Sequence, residues 1–299
     1  MRNPQQIARK AWYHATYESI SLPTNRVTSR AFDGQSIWVT NNNRLSKINT
    51  LTGDLSSITI GPGPMPLGIV GNERFMWMLC TPFRESTYTL SKFNCQTTEI
   101  VQSTSLSGGT GGYHMVYDGQ YIWVAFAGPR TLLKINSSDC AVVATYSLPT
   151  GSNGMEFDGN YIWNAGANGL EKINIVTGVV TPVIIPGINF SPAAMTFDGS
   201  NLWLSSVGDL IKVSLQNYSI LGRYSLAHTI NTLIFDGNHI WAGTQSWLGE
   251  NATVFKIRAS DGVIVYRHIG NSTANWGYSV FDGVHVWMCD QQTGAYVKF

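Results

Sequence analysis

The chain has 299 residues, 43% hydrophobic and only 12% charged, with a formal net charge of +1. That is enough apolar material for a large core, and the near-neutral balance gives no general pull toward nucleic acid or anionic membrane. Its longest apolar stretches are strand-sized, far short of the roughly 20 residues that cross a bilayer, so membrane insertion is not expected.

In chain order, residues 1–12 match nothing else in the sequence and carry Arg2, Arg9, Lys10 and Trp12, so they read as an arm or short helix. The region has charge but no apolar run, and a cleaved signal peptide is therefore not expected. From residue 13 to 299 the chain reads as one domain built on a repeated pattern. FDGQSIW at 32–38 returns as YDGQYIW (117–123), FDGNYIW (157–163), FDGSNLW (197–203), FDGNHIW (235–241) and FDGVHVW (281–287). A degenerate copy, VGNERFMW (70–77), fills the gap, with Gly71 standing in for the aspartate. Each copy leads to a lysine inside an apolar run: Lys47, Lys92, Lys134, Lys172, Lys212, Lys256 and Lys298.

Residues 114–149 show a complete unit. HMVY is a short strand, Asp118-Gly119 a tight turn that uses glycine's positive φ, YIWVAFA a second strand, TLLKIN a third and AVVATYSL a fourth. Four antiparallel strands repeating every 38 to 46 residues are the mark of a β-propeller blade. Seven copies predict an all-β, seven-bladed propeller. ATYESISLP (15–23) resembles the fourth strand ATYSLP (144–149), whereas the chain ends one residue after Lys298, so an N-terminal strand is expected to complete the C-terminal blade and close the ring. The repeated tryptophan is expected to fill the packing between blades. The lysine stem either covers apolar surface at a blade edge or pairs with a DG-turn aspartate. Four separated cysteines (Cys80, Cys95, Cys140, Cys289) read as reduced thiols, with Cys95 and Cys140 close enough in repeat position to be neighbours. The sequons at Asn136, Asn217, Asn251 and Asn271 carry no assignment in a chain so rich in Asn, Ser and Thr.

These units resemble the YVTN and virginiamycin B lyase-like β-propeller repeats of bacteria and phages: FDG-x-x-I/V-W-V, then KI, then a turn as in KINTLTGDL (47–55) and KIRASDGVIVYRHIG (256–270). The resemblance covers nearly the whole chain and speaks to fold rather than activity. Lyase members of the wider group use a histidine and a metal-binding acid in late blades. No matching motif is present: His239 and His285 are turn residues beside the repeated Trp, and His268 ends a strand.

Binding residues are expected on the face that carries the variable loops. Trp247 and Trp276 lie outside the repeat pattern on that face, with Phe83, Tyr113 and Phe190 elsewhere around it. Each Trp either lids the core or offers a stiff contact for protein or sugar. Arg84, Arg130 and Glu250, with Glu85, Asp209 and Asp290, are the charges there. Glu156 differs in kind: the equivalent first-strand positions are Ala31, Val116, Thr196, Ile234 and Val280, so it is the candidate channel acid, with a raised pKa unless paired. No HxH, HExxH, GxSxG or P-loop pattern occurs, and no catalytic residue, metal or cofactor is assigned. The expected function is a non-enzymatic protein- or glycan-binding assembly propeller with other structural proteins as partners. The phage side of the resemblance points to a virion component such as a tail hub, fibre or capsid-decorating protein. The alternatives are a lyase-like metal-dependent enzyme or a lectin, with a cytoplasmic or uncleaved extracellular location.

Overall fold

The computed structural model describes residues 19–23, 27–60, 64–82, 87–107, 113–126, 128, 130–167, 169–188, 192–246 and 250–299. The arm at 1–12 lies outside them. Every regular element among the described residues is a β-strand, and every strand pairing is antiparallel. The unit read from the sequence is seen first as Val27–Phe32, Ser36–Asn41, Arg44–Asn49 and Leu55–Thr59, hydrogen-bonded in that order. Three further sheets of this kind span 64–107, 113–147 and 154–183, and a fifth joins Trp276–Phe281, Val286–Asp290 and Ala295–Lys298 to the N-terminal strand Ser19–Ser21. The molecule is a β-propeller of four-stranded antiparallel blades.

The expectation of seven blades in a closed ring is corrected here. The described strands form six sheets: five four-stranded blades and one sheet of seven strands spanning 195–269. The cause is a single strand, Ile220–Phe235, whose first half pairs with Val207–Ser214 and whose second half pairs with His239–Thr244. Other connections between units are broken by glycine or proline, as in GPGP (61–64) and SGGTGG (107–112), whereas 226–229 is LAHT and holds neither. The chain passes through 226–228 unpaired, with Ala227 at a φ of +57°, and resumes pairing at Thr229, so one strand serves both ladders. No ladder of backbone bonds runs from each sheet to the next, so the ring is not closed as a continuous sheet. Neighbouring first strands meet instead through side chains: Thr28 Oγ1 donates to the Pro66 carbonyl at 2.8 Å, and the Ile69 N–H donates to Ser29 Oγ at 3.2 Å.

Aspartate, tryptophan and lysine of each repeat form one assembly. In the first unit, Asp33 Oδ1 accepts the N–H groups of Gln35 and Ser36, and Oδ2 accepts the indole N–H of Trp38 at 2.7 Å. The same three bonds recur at Asp118, Asp158, Asp198, Asp236 and Asp282. The lysine is the direct cross-strand partner of the tryptophan, as in Trp38–Lys47 and Trp123–Lys134. The Lys47 ammonium sits over the indole, 4.9 Å from the ring centre, and donates to the Cys95 carbonyl of the following unit at 2.7 Å, as Lys134 does to that of Ile175, whereas Lys172 donates to the Tyr218 hydroxyl, also at 2.7 Å. Edge covering is thus not its main role. Pairing with a turn aspartate is seen at 3.8–3.9 Å for Lys212 and Lys256.

In the degenerate copy the stand-in is Asn72, not Gly71. Its Oδ1 accepts the N–H groups of Arg74 and Phe75, but its amide nitrogen is a donor, not an acceptor, and bonds the Tyr117 hydroxyl of the following unit. Trp77, fully buried, is left with an unpaired indole N–H. All four cysteines are free and buried, and burial pushes the Cys80, Cys95 and Cys289 thiols up to about 12.

Two substitutions separate these roles. Asp118→Ala strands the Trp123 indole and two backbone donors and is expected to cost about 2–4 kcal/mol in urea unfolding. Asn72→Asp gives Trp77 the acceptor that it lacks and is expected to stabilise by about 1 kcal/mol. Equal urea midpoints for wild type and both variants would show that the clamp carries no net energy.

Candidate functional site

The polar side chains that the repeats do not explain gather on the first strands. Val27–Phe32 supplies Arg30, Tyr113–Tyr117 supplies His114, Gly154–Phe157 supplies Glu156 and Trp276–Phe281 supplies Tyr278 and Ser279. Arg30 Nε donates to the Ser279 carbonyl at 2.8 Å. Ser279 is aimed by an irregularity: the pairing register slips between Gly277 and Val280, and Tyr278 takes a φ of +47°, unusual for a bulky residue. On its other side Ser279 is tied to the long strand by its hydroxyl, 2.7 Å from Thr232 Oγ1. Three sheets are therefore joined at Ser279.

Glu156 is half-buried by exposed area yet enclosed by protein, as befits a residue facing a narrow space between strands. Burial raises its carboxyl to about 7, opposed by the Arg30 charge and by a bond from the Phe197 backbone. Burial also lowers His114 to about 4, with Arg30 acting in the same direction. The phenols of Tyr278 and Tyr296 are likewise raised by burial. The arrangement is one guanidinium with groups held toward neutrality between about pH 4 and about pH 7.

The variable-loop residues fare differently. Trp247, Phe83, Arg84, Glu85 and Phe190 lie outside the described residues, as does the side chain of Tyr113. Trp276 offers no surface: it is 4% exposed and packs edge-on against His268 and Phe299, with ring centres 5.6 and 5.9 Å away. It lids the core. Arg130 is exposed, and its guanidinium donates to the Pro149 carbonyl at 2.8 Å, fastening the neighbouring loop. Glu250 is exposed, with a carboxylate oxygen 3.6 Å from His228 Nε2. Asp209 pairs with Arg223 at 3.2 Å, and Asp290 is buried as an acceptor for Asn275, Gln292 and Thr293. Ser246 is joined to the 271–275 loop, its N–H and hydroxyl donating to the Ala274 and Ser272 carbonyls. Arg130 and Glu250 belong to different loops, and no bond joins them.

Residue-by-residue reading misses a second group. Glu171 is fully buried, accepting the Thr150 N–H and the Asn164 amide, each at 3.0 Å. Asn164 and Glu171 are direct cross-strand partners. The comparison that singled out Glu156 would have found them, because Asn164 follows the repeated Trp where Val39, Val124 and Leu204 stand elsewhere. Their bonds hold the 150–151 loop and present no open donor set. Among the described residues no three His, Cys, Asp or Glu side chains gather in a metal-binding group.

The two first-strand groups titrate in opposite senses. Between pH 4.5 and about 7 folded Glu156 holds a proton that the unfolded chain has released, so its contribution to stability falls as pH rises. Between about 4 and 6.5 unfolded His114 is protonated and the folded residue is not, so its contribution rises with pH. In wild type the two slopes offset each other where they overlap. The unfolding free energy of Glu156→Gln from urea titrations is expected to climb with pH through the His114 window, and that of His114→Gln to fall through the Glu156 window, each by up to roughly 3 kcal/mol. Parallel pH profiles for wild type and both variants would contradict the assignment.

No family model matches the chain, and no curated protein does. Among solved structures, a chain of one titled "Crystal Structure of Mitotic Checkpoint Complex" superposes with a TM-score of 0.76 over 94% of this chain and 92% of that one, at 9% identity. Identity so low shows the shared fold alone.

Proposed function

We propose that this protein is a non-enzymatic propeller that docks other structural proteins within a larger assembly. A β-propeller fits a protein-binding or assembly role, and the observation that favours one here is the state of the outer strands. Leu55–Thr59, Ile100–Ser107, Val142–Ser147, Val180–Val183 and Ile264–Ile269 are hydrogen-bonded on one side only. The first three contain no charged residue and no proline, the usual guards of a free edge. Where these strands begin, apolar side chains recur at matching places. Ile100, Val101, Val142, Val143, Leu221 and Val263 are between 45% and 56% exposed. Scattered apolar residues need no explanation, but a band repeated from sheet to sheet beside free edges suits burial by a partner.

The resemblance to bacterial and phage repeats supports the narrower proposal that the assembly is a virion and the protein a tail-hub, fibre or capsid-decorating component located in the particle. The YVTN and virginiamycin B lyase-like family is proposed on the same motifs. Val101→Lys with Val143→Lys places charge on the band at exposed positions. The variant is expected to keep its melting midpoint, since such surface changes stay within about 0.5 kcal/mol each, while its incorporation into the native assembly, read by co-sedimentation, drops several-fold. Undiminished incorporation would set the outer strands aside as the docking surface.

A further inference from the structure

Arg30 stands where comparable first strands carry an apolar residue. It lies opposite Val39 in the strand pairing, and the equivalent places hold Ile69, Met115, Met155, Met195 and Leu233. Its Nε is committed to the Ser279 carbonyl at 2.8 Å, which fixes the plane of the guanidinium. The terminal nitrogens, with four N–H donors, have no hydrogen bond or ion pair to any described residue. A half-buried cation without a counterion is a costly arrangement, and a guanidinium pinned by one nitrogen presents the rest of its fork to an oxyanion.

We propose that Arg30, pinned to Ser279 on the first strand Val27–Phe32, forms an oxyanion-binding site, taking a sulfate, phosphate or carboxylate group. The neighbours suit this. Glu156, His114, Tyr278 and Tyr296, which feel the Arg30 charge, are held toward their neutral forms by burial at mildly acid pH, and a protonated Glu156 carboxyl is itself a donor. Ser279 adds only the carbonyl already bonded to Nε, and its hydroxyl is taken by Thr232. Once Glu156 ionises, its negative charge competes with the ligand for Arg30, and binding weakens as pH passes about 7.

The test is calorimetric titration of the full chain with sulfate, which does not itself titrate in this range, at about pH 6 and about pH 8. The expected result is saturable single-site binding at the lower pH, several-fold weaker at the higher. Arg30→Gln, which keeps a neutral donor for Ser279, should lose the binding. Glu156→Gln should bind equally at both pH values. An acetate arm identifies the source: competition by acetate indicates a carboxylate, such as one carried by a partner chain, and its failure to compete indicates a free tetrahedral oxyanion. Absence of saturable heat in wild type, or equal affinity in a folded Arg30→Gln, overturns the site. Should Arg30→Gln fail to fold, wild-type affinity identical at both pH values overturns it.

Discussion

The structure depends on a hydrogen bond from an indole to a carboxylate that has already closed a turn. One aspartate oxygen holds the backbone of the Asp-Gly turn and the other holds the tryptophan five residues on, so the hairpin and the largest core side chain are fixed by one group. The lysine across the strand pair then covers the indole and reaches a carbonyl of the following unit. Turn, packing and contact between units are thereby coupled through three side chains. A four-stranded sheet has too little apolar area to stand alone, and a device that positions each tryptophan also sets how the sheets meet.

That coupling explains what the sequence makes legible. The spacing of Asp, Trp and Lys repeats because the geometry repeats, so strand number per unit, turn position and the burial of Trp38, Trp123 and Trp203 can be read directly. The number of separate blades cannot, because it depends on whether the chain between two units breaks or serves both ladders as one strand, and LAHT at 226–229 differs from its counterparts only in lacking glycine and proline. The one-place error at Gly71 has a similar origin: asparagine satisfies the backbone half of the clamp but not the indole half, which masks its alignment with the aspartates.

Site residues were legible only where a side chain departs from its equivalents. Glu156 stands out against Ala31 and Val116 at the equivalent first-strand positions. Arg30 and the Asn164–Glu171 pair depart from their rows just as clearly; Asn164 is legible directly after the repeated Trp, whereas Arg30 is placed opposite Val39 by the strand register. Loop residues have no such row. Trp276 therefore could not be assigned between core lid and contact surface until its packing against His268 and Phe299 was seen. The polar exceptions cluster inward while the apolar exceptions lie on the outer strands, the reverse of the usual segregation, and it is these departures that the functional reading rests on.

The strand Ile220–Phe235 bears on how the molecule comes apart. Elsewhere, among the described residues, the contacts between successive units are mostly through side chains, with one isolated bridge at Gln245 and Asn275, but here a single strand pairs with both neighbours. In a quasi-linear array, stability is the sum of each unit's own term and the coupling to its neighbours, and at this junction one strand, irregular at 226–228, pairs into the ladders on both sides. The 195–269 region is thus a stiff spar in an otherwise segmented body, two modules fused into one cooperative block, with the seams at which the molecule first yields lying in the remaining five sheets.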